Sequence, residues 1–246
     1  IQEHLRVDEE QYQQSAYESA IREIKETAVE ALVKIGTNAA YEALVTASRG
    51  TDEELKEHVI SEIGKFGAQT TVDLIVDELH NEENDELREE AAEGIITSFT
   101  ETDFEDGHSV REEALDQIGE DVSTSVSNEF AEIVQESPRK SEQRNAAWLL
   151  GQLDTTEQET LECLVESLED DDAYLRKVAT ASLTNLDPIK VEDKMETYLE
   201  QAEEGTEAHK LATFVRENIK DEAEEAKKEL VSYSYVGNPS DYTAQQ

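Results

Sequence analysis

The chain has 246 residues, 61 of them acidic and 21 basic, for a formal net charge of −40 with only 37% hydrophobic residues. Ten glycines and three prolines exclude a collagen-like or Pro/Gly-rich chain, and one cysteine, Cys163, excludes an intramolecular disulfide framework or a multi-cysteine metal site. No uncharged stretch approaches the ~18–20 apolar residues that span a membrane, and no basic region followed by an apolar run opens the chain, so neither a span nor a secretory signal is expected.

Residues 1–19 read as an N-terminal helical cap, and from residue 20 onward the chain repeats itself. The run from Ile24 to Gly36 returns from Leu55 to Gly67, with an opening aliphatic residue, a basic residue after it, and a closing Ile/Phe-Gly. The same frame recurs at Leu87 to Ile95, Val110 to Ile118, Glu142 to Leu153 and Leu175 to Leu186, with a degenerate copy from Glu207 to Ile219. The starts are spaced by 31, 32, 23, 32, 33 and 32 residues, so the short interval leaves no room for a partner helix between Thr100 and Ser109, and a loop or single turn is expected there.

Within each copy, apolar residues fall at offsets 0, 4, 7, 8 and 11, one stripe of an α-helix. A second amphipathic segment lies between copies, carried by Leu44 and Val45, by Val72, Ile75 and Leu79, by Val126, Phe130 and Val134, and by Leu161, Leu164 and Leu168. Asp52, the Asn81–Asp85 stretch, Ser137-Pro138, Asp170–Asp172 and Asp187-Pro188 punctuate the segments, and the Asp and Asn residues among them are predicted N-caps. Strand-like alternation occurs only from Val231 to Val236, in a tail that also carries Tyr233, Tyr235 and Tyr242. Helix pairs repeating every ~32 residues predict an all-α chain, an α-solenoid of about six to seven stacked pairs over residues 20–220 with a break near 100–109. Residues 221–246 are expected to form a helix end and a flexible tail.

The charge does not signal disorder, because the apolar residues are strongly periodic. Acid is spread along nearly the whole chain, and lysine (12) and arginine (9) are both scarce, a pattern expected of adaptation to molar salt with hydrated cations on the acidic surface. Against that baseline a local basic cluster is the informative deviation.

The run Arg144-Asn145-Ala146-Ala147-Trp148-Leu149-Leu150-Gly151-Gln152-Leu153 resembles the second-helix consensus of short HEAT-like repeats, the subtype named after phycobilisome lyases. The resemblance covers about residues 20–219; it implies a solenoid and a scaffolding role, and a halophilic archaeal source fits the charge. HEAT-like deoxyhypusine hydroxylases hold iron with His-Glu pairs, yet none of His4, His58, His80, His108 or His209 is followed by Glu. The electropositive aromatic groove of HEAT-like DNA glycosylases is equally out of keeping with one Trp in so acidic a chain.

Two sets of residues stand out. A basic residue occupies offset 1 in Lys25, Lys56, Arg88, Arg111 and Arg176, readable as an anion-binding ladder or as cations bridging neighbouring repeats. Offsets 2 and 6 point away from the apolar stripe, toward the expected concave surface. They carry Glu26, Glu57, Glu89 and Glu112, and Glu30, Ser61, Glu93 and Asp116, and then switch to Arg144 and Trp148, and to Lys177 and Ala181. With Arg139, Lys140 and Arg176 nearby, Arg144, Trp148 and Lys177 form a candidate binding patch, in which Arg144 and Trp148 are spaced for a cation–π contact. The competing reading makes Trp148 a plug between repeats.

Cys163 lies on an apolar stripe and reads as core. No catalytic motif, metal site or cofactor site is recognised. The expected function is a cytoplasmic, non-catalytic scaffold that binds another protein, with a lyase-type or chaperone-like modification factor as one alternative and nucleic-acid binding, disfavoured by the charge, as another.

Overall fold

The computed structural model describes residues 2–66, 69–80, 84–101, 107–119, 123–153 and 157–235. Twelve α-helices and two short 3₁₀ turns make up the regular structure among these residues, with no strand. The chain divides into two compact units, Ile1–Ile118 and Gly119–Gln246.

In the first unit, α1 (Gln2–Ile35), α3 (Glu53–Ile63) and α5 (Asp85–Glu101) pack side by side, and α2 (Asn38–Ser48), α4 (Gln69–Leu79) and α6 (Gly107–Ile118) form the opposing layer. α1 joins the N-terminal segment and the first copy of the repeat in one helix, because no residue before Gly36 breaks it. Gly36 does so at φ +62°, a conformation that costs other residues roughly 1–2 kcal/mol. The predicted caps are present: Asp52 accepts the Leu55 N–H at 3.1 Å, and Asn84 accepts that of Leu87 at 3.1 Å.

The second unit has the same construction. α7 (Thr124–Glu136), α9 (Gln158–Glu166) and α11 (Pro188–Gln201) form one layer; α8 (Lys140–Leu150), α10 (Ala173–Asn185) and α12 (Glu207–Tyr235) form the other. Asp172 caps α10 through the Tyr174 N–H at 2.8 Å, and Asp187 caps α11, with Pro188 in its first turn, through Ile189 at 2.9 Å. Ser137 does not cap α8; its hydroxyl donates instead to Glu142 at 2.7 Å, and its carbonyl accepts from Gln143 at 2.8 Å. Each unit is thus a two-layered stack of helix pairs, the α-solenoid architecture.

Offset 8 of the repeat is core, as the stripe predicts. Ile63, Ile95, Leu150 and Leu183 are 0% exposed and Ile118 is 3% exposed, while Leu32, in the first helix of its layer, is half-buried. Truncating Leu150 or Leu183 to Ala is expected to cost roughly 2–4 kcal/mol, read from denaturant unfolding.

The break expected near residues 100–109 is narrower than the spacing suggested: α5 runs through Glu101 and α6 begins at Gly107, and residues 102–106 lie outside the described residues. With a helix missing from that interval, α6 falls beside α4, where Gln117 bonds Asp73, rather than into the layer of α1, α3 and α5. Glu112 and Asp116 therefore leave the surface expected to hold Glu26, Glu57 and Glu89. The alternating segment from Val231 is helical as far as Tyr235, and Tyr242 lies outside the described residues.

Candidate functional site

Among the remaining residues at offsets 2 and 6, none is buried. In the second unit these positions bring together Arg144 of α8 and Lys177 of α10, with Trp148, half-buried, one turn along α8. What joins the two cations is a residue outside the sequence expectation, Tyr174. Its ring is 66% exposed, and the Arg144 guanidinium lies 5.0 Å and the Lys177 ammonium 5.6 Å from its centroid. Cations over an aromatic face attract its quadrupole, worth roughly 0.5–1 kcal/mol at an exposed site. Tyr174 sits one residue ahead of the apolar stripe, and its relation to Arg144 depends on the packing of α8 on α10.

Arg144 is held from a second direction. Its Nε donates to Asp172 at 2.7 Å, and Nη2 of the same guanidinium also pairs with that carboxylate. Burial pushes the Asp172 carboxyl up, but hydrogen bonds from the Tyr174 N–H and from Arg144 outweigh it and hold the group below its ordinary value. One carboxylate thus caps α10, anchors a cation from α8 and helps to place Tyr174.

Each flanking cation has a partner within the second unit. Lys140 reaches Asp170 at 3.1 Å, Arg139 pairs with Glu142 at 2.8 Å, and Arg176 donates to the carbonyls of Asp170 at 2.7 Å and Asp171 at 3.2 Å.

The offset-1 cations have unlike partners. Lys25 bridges to the next repeat, to Asp52 at 2.9 Å and Glu54 at 2.7 Å, and these bonds raise its pKa. Lys56 pairs with Glu78 of α4 at 2.8 Å, and Arg88 with Asp85 of its own helix at 2.8 Å. Arg111 stacks over Phe99 at 5.6 Å, and burial lowers its pKa. The common device is one level up: Lys25 and Arg144 each hold the N-cap carboxylate of the next helix in their layer, Asp52 and Asp172.

Cys163 is buried, which pushes its thiol up to about 12 and leaves it a core residue. An open groove of about 320 Å³ between α7 and α9 is lined largely by Glu132, Glu136, Glu159, Glu162 and Glu166. A second, of about 450 Å³, is bordered by Asp170, Asp171, Arg176 and Tyr198, whose hydroxyl donates to Glu169 at 2.6 Å. Among the described residues no three His, Cys, Asp or Glu side chains are placed to hold a metal ion, and no helix is long and apolar enough to cross a membrane.

The family model for HEAT repeats matches residues 14–96. A HEAT repeat-containing taxis protein of Halobacterium salinarum is 28% identical over 110 residues, which is 44% of this chain and 27% of that protein. The chain thus matches about a quarter of the length of that relative. Among solved structures, a designed armadillo repeat protein in complex with the peptide (KR)4 has a TM-score of 0.39 at 17% identity, covering 84% of this chain and 94% of that one. An archaeal HEAT-like repeats protein from Thermococcus onnurineus has a TM-score of 0.35 at 14% identity, with coverage of 83% and 97%. The CpcE–CpcF complex of a Nostoc phycocyanin lyase has a TM-score of 0.33 at 18% identity, with coverage of 82% and 89%.

Proposed function

We propose that the chain is a HEAT-like repeat protein that serves as a non-catalytic scaffold, adapted to high salt, and docks another protein on the exposed surface of α8 and α10. The observation that carries this reading is Tyr174, an exposed ring clasped by Arg144 and Lys177, with Trp148 one turn along α8 from Arg144. Tyr, Trp and Arg are the residue types enriched where interfaces concentrate their energy. Preordering by Asp172 lowers the entropy lost when such a surface is covered. The open, carboxylate-lined grooves favour a surface for another protein over a closed site for chemistry. The halophilic taxis relative supports the salt adaptation and is compatible with an adaptor's work.

The test is quantitative capture from a high-salt lysate of a halophilic archaeon, with wild type, Trp148→Ala and Tyr174→Ala as parallel baits. A stoichiometric partner is expected with wild type, and each variant is expected to weaken its binding by about 2 kcal/mol, roughly thirty-fold in Kd. Undiminished binding by Trp148→Ala together with a lowered melting temperature would make the Trp a plug between repeats and defeat the proposal.

A further inference from the structure

Two neighbouring helices of the second unit present a surface without acid. α10 is the one α-helix among those described that has no Asp or Glu, where thirteen residues of average composition for this chain would carry about three. α8 has one acid, Glu142, and it is buried. The positions of α8 and α10 that reach solvent therefore include Arg144, Trp148, Tyr174 and Lys177 but no carboxylate. Asp172, beside them, is engaged by Arg144 and by the cap of α10. Lys177 is left exposed, in contact with the Tyr174 ring and with no carboxylate partner among the described residues.

The register continues into α12. Ala208, Ala212, Val215 and Ile219 are buried, each 33 residues after Leu175, Ala179, Ser182 and Leu186, which are buried too. In that frame Lys210 follows Lys177 as Lys177 follows Arg144, and Phe214, 54% exposed, takes the position that Trp148 holds on α8. Lys210 stands 3.9 Å from Glu207, an exposed and loose pair of the kind that contributes little. α10 packs between α8 and α12, and helices in contact lie roughly 8–10 Å apart, so the three cations form a row across consecutive helices with aromatic rings along it. α10 has a neighbour on each side, so the middle of this row is not the end of a stack. The same register in the first unit holds Glu26, Glu57 and Glu89.

Charge identifies the occupant. A two-fold dimer through this face would set the cations of one copy against those of the other. Nucleic acid would offer phosphates, but its binding weakens steeply with salt and the rest of a −40 chain repels it. Carboxylates of a protein meet ammonium and guanidinium groups at contact distance, where even the Debye length of about 3 Å in molar salt screens incompletely. The rings take the apolar part of the contact. Under the salt adaptation proposed above, a partner from the same cell is acidic as well, and acid must be absent where the two meet. Building on the docking surface proposed above, we infer that its partner presents an acidic segment, with Asp or Glu on Arg144, Lys177 and Lys210 and apolar side chains against Tyr174 and Phe214.

The experiment titrates the full chain, in about 3 M KCl, into three labelled peptides of about 15 residues, read by fluorescence anisotropy. They share their Leu and Phe positions and carry Asp and Glu, Asn and Gln, or Lys at the others. The acidic peptide is expected to bind roughly tenfold or more tighter than either of the others. Lys177→Glu is expected to weaken the acidic peptide by about fivefold or more and to strengthen the Lys peptide, with Lys177→Gln between the two. The melting temperature should not move, since the side chain is exposed and has no carboxylate partner. An acidic peptide that binds no tighter than its Asn and Gln counterpart, or a ranking that Lys177→Glu leaves unchanged, overturns the inference. So does a single-stranded DNA of the same length that binds more tightly than the acidic peptide. Light scattering that finds self-association abolished by Lys177→Glu overturns it as well, for the carboxylates are then those of a second copy. If Trp148→Ala and Tyr174→Ala release a captured partner while the peptides bind alike, the docking surface stands and only the charge assigned to its partner is wrong.

Discussion

Lowering KCl from about 3 M to about 0.1 M is expected to abolish the cooperative helical fold, because the Debye length lengthens from under 3 Å to about 10 Å. At 10 Å a carboxylate feels acids on neighbouring helices as well as its immediate contacts. Glu26, Glu57 and Glu89 stand at one register on α1, α3 and α5, three helices packed in one layer. In the second unit the groove between α7 and α9 is lined by Glu132, Glu136, Glu159, Glu162 and Glu166. With a formal charge of −40 the cations are too few to neutralise these rows, so folding gathers like charge that the unfolded chain keeps apart. Circular dichroism at 222 nm across a KCl series reads the effect. A cooperative transition with one melting temperature at both ends of the series would show that the surplus charge carries no such cost.

Gly151→Val is expected to be the most damaging single substitution in the second unit. A Cβ on Gly151 would fall well inside contact distance of both Cα and Cβ of Ser182, at the point where α8 ends against α10. The main chain of α10 is one of the obstacles, so no rotamer change relieves the clash; the two helices must separate. Separation also strains the bond from Ser182 to the Ala147 carbonyl and opens the layer filled by Leu149, Leu150 and Leu183. Overpacking costs typically about 1–3 kcal/mol, and a backbone obstacle places this case at or above the upper end. Gly151→Ala should be milder, and adding Ser182→Gly should restore only part of the loss, since the Cα remains. Urea unfolding in high salt measures all three, and a Gly151→Val midpoint equal to wild type would show that α8 and α10 do not approach as described.

Periodicity along one helix is a local property, and the sequence determined what depends on it: the repeat, the all-α fold, the buried offset 8, and caps such as Asp52, Asp172 and Asp187. Apart from the repeat, which is the recurrence of one such stripe every ~32 residues, each of these follows from residues within a few positions of one another. The apolar stripe of α1 is as regular as that of α10, yet one is open and the other covered, because burial depends on whether a neighbour is stacked against the helix. The missing helix between α5 and α6 was legible as an odd spacing of 23, but the consequence, α6 turned onto α4, needed the packing of the layers. Arg144, Trp148 and Lys177 stood out as deviations from an acidic pattern. Tyr174 did not, since one tyrosine ahead of a stripe is unremarked until α8 brings a cation over its ring. Local chemistry chose the helices and their ends; the contacts between residues about 30 positions apart, which no single helix encodes, decided which faces were left exposed.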